Sequence, residues 1–493
     1  MNTRRLVVWI TFLAIFAMAA RISVDTDTWW HLRAGQWMAQ NRAILQVDLF
    51  SYTRYGQAWQ YPGWLVEVPM YWIYSAFGAG GLNIWTALMV TLSFGFIWRT
   101  MPGGVFLRAF VIILAVTVSG VYWAARPYLV TFLLAAVYLL ILENFRWRRD
   151  KNDVRNLWWL PALMVIWANS HGGFAAGFLI WGVYLAGELV QWIRSWLAQR
   201  FLSASGPIAG NRRDILQLSL IGLAMLVAVC LNPSGPVMLL YPFKTIGIGS
   251  LQSFIQEWQS PNFHELNVQP FAWLLFTLLG VVGASRRRLA LTDFLLIAGF
   301  AYMGLMAARN IALFALVAPP VVARHADALI QNLAGVMPLK SSPDAPPKRG
   351  QAILNYSLLG LLSLAVLVKL TLIFPQEPNQ EHFEETLPVQ AIAAIRAEQP
   401  PGRLFNSYNY GGYLVWALPE YPVFIDGRTD LYDDEIIDQW LKVMRAEDGW
   451  QDVINRWDVH LVMVEPDTPI VERLVQQGWK ELYRDEIVDV LAE

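Results

Sequence analysis

A single cysteine, Cys230, occurs in 493 residues, which excludes an intrachain disulfide and a cysteine-based metal cluster. Charge is scarce as well. Asp, Glu, Lys and Arg make up 15% of the chain, against roughly 25% in soluble domains. No block of basic residues alternates with exposed aromatics, so nucleic acid is excluded as a partner, and no fixed-period repeat is visible. What the chain has instead is apolar surface: 56% of it is hydrophobic and 24 residues are Trp, where a soluble domain has roughly 45–50% apolar residues. Acid is unevenly missing. Residues 1–374 carry 28 Lys plus Arg and 14 Asp plus Glu, whereas residues 375–493 carry 9 and 24. The net charge of −1 therefore hides a basic, apolar part of about +14 and an acidic part of about −15.

A bilayer core about 30 Å thick takes about 17–25 mostly apolar residues per helical crossing. Such stretches occur near 6–22, 82–98, 105–123, 128–144, 157–170, 173–191, 214–231, 268–284, 291–307, 310–323 and 353–374, predicting a polytopic α-helical membrane protein with about eleven crossings. Lys and Arg stay cytoplasmic. Arg4 and Arg5 place the N-terminus inside, followed on the same side by Arg99 with Arg108, Arg146 with Arg148, Arg149 and Lys151, Arg194 with Arg200, Arg212 and Arg213, Arg286 with Arg287 and Arg288, and Arg324 with Lys340, Lys348 and Arg349. The parity closes only if 64–77, which holds Glu67 and precedes Gly78, lies along the outer surface as a helix. The first apolar stretch also reads as a cleaved signal peptide ending at Ala17, Ala19 and Ala20. The proline-bearing stretch 341–350 reads as a cytoplasmic loop.

These boundaries divide the chain into a transmembrane part, 1–374, with a first outer loop at 23–81 carrying two surface helices, and an extracytoplasmic part, 375–493. In the second, helices are expected at 387–398, 435–445 and 470–477, and strands at 403–406, 422–426 and 460–465. That pattern is a small α/β domain. The expected location is the plasma membrane, multi-pass, with a cytoplasmic N-terminus.

Directly after the first stretch comes Asp25-Thr26-Asp27-Thr28-Trp29-Trp30-His31-Leu32-Arg33. Two carboxylates two residues apart can hold a divalent cation, or one can take a proton while the other orients the acceptor. Capping of the helix that starts near Trp29, by Asp27 or Thr28, is the simpler reading. Downstream, Asp48-Leu49-Phe50-Ser51-Tyr52, Tyr61-Pro62-Gly63-Trp64-Leu65, Tyr71-Trp72-Ile73 and Phe77-Gly78 complete the loop. This order resembles GT-C glycosyltransferases, most of all the protein O-mannosyltransferase and aminoarabinose transferase branch, with similarities to the catalytic subunit of oligosaccharyltransferase. The motifs span about 75 residues and the layout about 370.

The resemblance implies an outward-facing cavity in which a sugar moves from a polyprenyl-phosphate carrier to a lipid, glycan or protein acceptor with inversion. It also implies that the first-loop aspartate, Asp27 or Asp25, acts as base or acceptor orienter. The lipid-phosphate leaving group needs donors at the outer boundary, where Arg126, Arg309 and His171 fall; cations at membrane depth are costly and usually functional. Snorkelling to headgroups is the alternative for the arginines, and a turn role for His171. Glu257, in a late outer loop, is similar in placement to an acidic residue of oligosaccharyltransferases. With Asp25 and Asp27 it forms a candidate set for a divalent cation, Mg or Mn, although the turn at 120–127 lacks the second acidic pair of those enzymes, so no cofactor is firmly implied. His31 and Glu67 are further cavity candidates.

In the acidic part, Tyr410 and Tyr413 within Asn406-Ser407-Tyr408-Asn409-Tyr410-Gly411-Gly412-Tyr413 suit acceptor docking by stacking on sugar rings. The structural alternative makes Gly411-Gly412 a tight strand-to-helix turn and Asp426 with Arg428 a strand-end ion pair. Competing with a transferase are a lipid-linked sugar transporter or flippase, a glycan ligase or polymerase, and a scaffold. Transporters favour paired repeats meeting at mid-bilayer, and none is found.

Overall fold

The computed structural model describes residues 1–147, 151–201, 211–249, 255–336 and 347–493. Arg148, Arg149, Lys340 and the 341–346 part of the expected cytoplasmic loop lie outside the described residues. Each of the eleven apolar stretches contains a helix: α1 (Thr3–Ala19), α3 (Trp64–Thr100), α4 (Val105–Ser119), α5 (Tyr128–Trp147), α6 (Trp159–Ala168), α7 (Ala175–Phe201), α8 (Arg212–Val229), α9 (Gln269–Ala284), α10 (Leu291–Met306), α11 (Ile311–Val336) and α12 (Arg349–Ile373). Among the described residues, six helical stretches are long and apolar enough to cross a membrane: 64–100, 105–122, 128–147, 172–201, 308–333 and 349–373. The helices α9 and α10 are apolar but shorter. Packing reflects place. The span at 308–333 is mostly buried within the protein, while α12 leaves nearly all of its surface outward, which its leucines suit only in lipid.

The stretch 64–77 is helical, as expected, and ends at Gly78. It forms the first of two helical parts of α3, set off from the second, 79–100, by a kink at Gly78, whose φ of 61° and ψ of −158° are not helical, a backbone conformation that glycine alone adopts without strain. At 1.5 Å per residue the second part is about 33 Å long, enough by itself to match a bilayer core of about 30 Å. Helix α3 packs against α1, α5 and the first-loop helix α2 (Thr28–Asn41). Gly35 on α2 touches the α3 backbone at Glu67, where a Cβ would lie 2.1 Å from the carbonyl oxygen.

The acidic part holds a four-stranded sheet of β1 (Arg403–Asn406), β2 (Val459–Val464), β3 (Lys480–Arg484) and β4 (Asp489–Ala492) in the order β1-β2-β4-β3. Strands β1 and β2 are parallel; β4 pairs antiparallel with both β2 and β3. The parallel pair requires a long crossover, supplied by α14 (Tyr408–Ala417), α15 (Thr429–Met444) and a short helix at Trp450–Arg456. Before the sheet comes α13 (Val389–Glu398), and α16 (Pro469–Gln476) leads into the β3–β4 hairpin. Two expectations fail here. Residues 422–426 are not a strand of the sheet, and their one β-bridge joins Val423 to Ser51. The Gly411-Gly412 pair lies inside α14 rather than in a turn, because each glycine lets that helix approach another backbone: a Cβ would meet Ile425 O at 2.1 Å from Gly411 and Thr26 O at 2.2 Å from Gly412.

One buried cluster ties the first loop to the acidic part. Arg428 donates from Nη1 to Asp48 Oδ1 at 2.6 Å and from Nη2 to Asp426 Oδ2 at 2.6 Å, and Tyr432 donates to Asp426 Oδ2 at 2.8 Å. Its guanidinium lies over Phe50 and Trp59. The expected Asp426–Arg428 pair is therefore present, and Asp48 joins it from the first loop.

Candidate active site

The Asp25–Asp27 motif divides its work between the two carboxylates. Asp25 Oδ1 accepts from the backbone N–H groups of Asp27 (3.0 Å) and Thr28 (3.3 Å), so Asp25 satisfies the orphan donors at the start of α2. Asp27, at the N-cap position itself, makes no cap bond. Its side chain is free to turn outward, where Oδ1 accepts from Trp30 Nε1 at 3.1 Å and Oδ2 meets Arg126 Nη2 at 2.5 Å.

Arg126 precedes α5 and faces three carboxylates. Besides Asp27, Nη1 reaches Asp25 Oδ2 at 3.4 Å and Glu257 Oε2 at 3.5 Å. Thr28 donates to Ala125 O at 3.1 Å, fastening the start of α2 to this turn. Glu257 sits on a 3₁₀ turn at Gln256–Trp258, which is bound to the turn before α11 by the Ala308 N–H bond to Gln259 O, 2.9 Å. That bond brings Arg309 Nη1 to 3.1 Å from Glu257 Oε1, with its guanidinium 4.4 Å over the Trp258 ring. Two arginines some 180 residues apart are thus linked through one glutamate.

His171 lies between α6 and α7. Its Nδ1 accepts from Gly173 N–H (3.0 Å) and pairs with Thr131 Oγ1 (2.9 Å), whose oxygen itself accepts from Trp167 Nε1 (2.8 Å). With Nδ1 accepting, a neutral ring carries its proton on Nε2. Burial, with Arg309 and Arg126 adding to it, lowers His171 to about 3, so the ring is a neutral donor at physiological pH. The turn role weighed for His171 is real as well, since its Nδ1 caps the Gly172–Phe174 turn.

A cavity of about 540 Å³ collects these groups: Asp27, Arg126, His171, Glu257 and Arg309 all line it, as does His31. It shares Tyr128, His171, Tyr241, Trp258 and Arg309 with an apolar groove of about 270 Å³ walled by Phe132, Leu179, Met303 and Leu313. Asp25 opens instead onto an adjoining cavity of about 290 Å³ with Arg21 and Tyr122, which Arg126, Glu257 and Arg309 also line.

Three expected cavity residues do not line it. Glu67 is buried behind His31 and bonds His31 Nδ1 at 2.8 Å. Tyr410 donates to Ile487 O within the acidic part, and Tyr413 packs edge-on against Trp29. The helix α14 explains the error: residues four apart share a face, and the face that meets the first loop at Gly412 carries Tyr408, while Tyr410 and Leu414 turn inward. Tyr408, Asn409, Gly427, Thr429 and Asp430 line the cavity and were not anticipated, as were not Tyr61 and Tyr241. Gly427 is pressed against Asp27, and a Cβ there would lie 1.7 Å from Asp27 Oδ1.

Electrostatics set Asp27 apart. Burial raises its carboxyl to about 7, with Asp25 and Glu257 adding to the rise and Arg126 and Trp30 opposing it. Burial pushes Glu257 upward too, but Arg309 and Arg126 outweigh it and leave that carboxyl below its ordinary value. Burial lowers His31, aided by Arg126 and His171. The carboxylates proposed for a divalent cation converge on the Arg126 guanidinium, and Asp25 spends one oxygen on backbone donors. Among the described residues no group of three or more His, Cys, Asp or Glu is arranged to hold a metal ion. Placed so, these side chains do not fit a cation.

No protein-family model matches the chain, and no curated protein sequence matches it. Solved structures do. The oligosaccharyltransferase AglB from Archaeoglobus fulgidus, in complex with an inhibitory peptide and a dolichol-phosphate, superposes with a TM-score of 0.58 at 12% identity, over 94% of this chain and 70% of that one. The apo form of the Archaeoglobus fulgidus oligosaccharyltransferase gives 0.56 at 12%, over 93% and 69%. ArnT from Cupriavidus metallidurans, bound to undecaprenyl phosphate, gives 0.47 at 15%, over 100% and 98%. The chain has the fold of GT-C membrane glycosyltransferases, as the order of its first-loop motifs implied.

Proposed function

We propose that the protein is an inverting membrane glycosyltransferase that moves a sugar from a polyprenyl-phosphate carrier to an acceptor hydroxyl or amine at the outer membrane surface. The observation that carries this reading is a carboxyl raised to about 7, Asp27, in one cavity with two arginines and a neutral histidine donor, walled on one side by an apolar groove. A general base works best when its pKa lies near the operating pH. The dolichol-phosphate bound by AglB is the ligand chemistry that such a groove and its cationic end suit.

In this reading the isoprenoid lies along Phe132, Leu179, Met303 and Leu313, and its phosphate lies against Arg309 and His171 Nε2–H. Glu257 holds Arg309 in the ligand-free protein and yields it to the phosphate. The acceptor attacks the anomeric carbon from the side opposite the phosphate, Asp27 takes the acceptor's proton, and the bond from carbon to phosphate oxygen breaks to release polyprenyl phosphate. Positive charge from Arg126 and Arg309 meets the negative charge that grows on the departing oxygens. Tyr408 and Thr429 form the acceptor wall.

The test uses purified full-length protein in sealed proteoliposomes with a panel of labelled polyprenyl-phosphate hexoses and pentoses and a mixture of hydroxyl- and amine-bearing acceptors, measuring release of polyprenyl phosphate. Release by the wild type, lost in Arg126→Ala combined with Arg309→Ala, supports the reading. Movement of the intact labelled lipid between leaflets without release overturns it in favour of transport.

A further inference from the structure

The helices that carry the candidate active site carry a second charged assembly at their other ends. On α5, Glu143 Oε2 accepts from Arg324 Nη1 at 2.6 Å and Trp147 Nε1 at 2.9 Å, and Oε1 accepts from Tyr184 at 2.6 Å. Asp293, in the first turn of α10, accepts at one oxygen from Arg146 (2.6 Å) and Arg324 (2.7 Å). Two arginines and two carboxylates thus neutralise each other in a buried network.

In front of this network opens a cavity of about 330 Å³ lined by Arg99, Arg108, Arg287, Arg324, Glu143 and Trp147. Glu143 is the one acidic side chain among its lining residues, and its oxygens are already engaged. Among the described residues, Arg99, Arg108 and Arg287 have no carboxylate partner. The Nε–H groups of Arg108 and Arg324 are shut off from solvent and lack an acceptor, and Arg324 is only 6% exposed. With four arginines and one engaged carboxylate around it, the cavity carries uncompensated positive charge, which an anion with several acceptor oxygens neutralises.

Its place narrows the ligand. From Tyr128, at the first cavity, to Trp147, at this one, α5 rises about 28 Å, close to the thickness of a bilayer core. The cavity therefore sits at the opposite membrane boundary, among the arginines that orientation by charge assigns to the cytoplasm. Half-exposed Trp147, under the guanidiniums of Arg146 and Arg324, forms its lip, as aromatic side chains do at an interface. Basic pockets between transmembrane helices on that side bind anionic headgroups.

We propose that this cavity is a second ligand site, separate from the candidate active site, that binds a phosphate group: the headgroup of an anionic phospholipid or a free phosphate. Arg108 and Arg287 supply unpaired guanidinium donors, and Arg324, held rigid by Glu143 and Asp293, forms the floor. A charge-assisted hydrogen bond is worth about 1.5–3 kcal/mol, so losing one arginine weakens binding about tenfold or more.

The experiment uses the full chain in two arms. In the first, protein from nanodiscs of phosphatidylglycerol mixed with phosphatidylcholine is analysed by native mass spectrometry for retained lipid. In the second, detergent-solubilised protein is titrated with inorganic phosphate and its melting temperature followed. Selective retention of phosphatidylglycerol identifies a lipid headgroup; a phosphate-dependent rise in melting temperature without lipid selectivity identifies a soluble ligand. In Arg108→Gln with Arg287→Gln, retention of phosphatidylglycerol must be lost, or the phosphate concentration that gives a set rise in melting temperature must increase at least tenfold. Arg287→Gln alone, on the exposed rim, serves if the double variant does not fold. The proposal is overturned if the wild type shows neither effect, or if the effects survive undiminished in the folded variants.

Discussion

Replacing Gly427 by alanine tests the candidate active site without removing any polar group from it. The added Cβ would lie 1.7 Å from Asp27 Oδ1, 2.8 Å from its Cγ and 3.2 Å from Trp30 Nε1. Carbon and oxygen come to rest near roughly 3.5 Å, so Asp27 and Gly427 must separate by about 1.8 Å. Such a displacement breaks the Asp27 contacts with Trp30 and Arg126, at 3.1 and 2.5 Å. Gly427 is not among the positive-φ residues, so the alanine is penalised by this contact alone. Misplacing a catalytic group by about 1 Å costs about 10²-fold in rate, or about 2.7 kcal/mol of barrier, while overpacking costs about 1–3 kcal/mol of stability. The assay is release of polyprenyl phosphate from a labelled donor, normalised to folded protein by thermal melting. Gly182→Ala, with open space around its Cβ, is the neutral control. A folded Gly427→Ala protein with the turnover of the control would refute both the role of Asp27 and the contribution of the acidic part to the site.

Asp27→Asn is expected to abolish transfer while leaving membrane insertion intact, as judged by protease mapping and turnover. Because Asp27 must be ionised to accept a proton and its carboxyl is raised to about 7, kcat/KM of the wild type should rise with pH through about 7; a flat profile from pH 5 to pH 9 would contradict this. Arg428→Leu leaves Asp48 and Asp426 buried without their cation, which is expected to cost about 3–5 kcal/mol, visible as a lower melting temperature in detergent. Turnover is expected to survive treatment with EDTA, since Arg126 stands between the carboxylates; loss on chelation with recovery on adding Mg or Mn would show that arrangement to be wrong.

Helix positions were legible because crossing a bilayer demands long apolar runs, and such runs leave their mark on a one-dimensional string. The first-loop motif was legible for a related reason: Asp25, Asp27 and the start of α2 are neighbours in the chain, and capping is local. The pairing of Arg126 with Arg309 was open only as a common membrane depth. Its link through Glu257 depends on a bond between Ala308 and Gln259 that no spacing announces. The sequence shows an aromatic cluster in Tyr408, Tyr410 and Tyr413 but not which face of α14 each one takes. The β3–β4 hairpin went unseen because its residues alternate weakly and end the chain in charged side chains.

Composition and order alone determined that this is a membrane-embedded helical protein with an acidic α/β appendage and a carboxylate pair beside the first apolar helix. These are properties of local energetics, where each segment answers to water, lipid or its own backbone. Tertiary structure decided which carboxylate caps and which faces the cavity, and which tyrosine reaches it. It also decided that a glycine 400 residues away presses on Asp27. Those choices follow from helix phase and from backbone contacts between distant segments, and such contacts exist only once the chain has closed on itself.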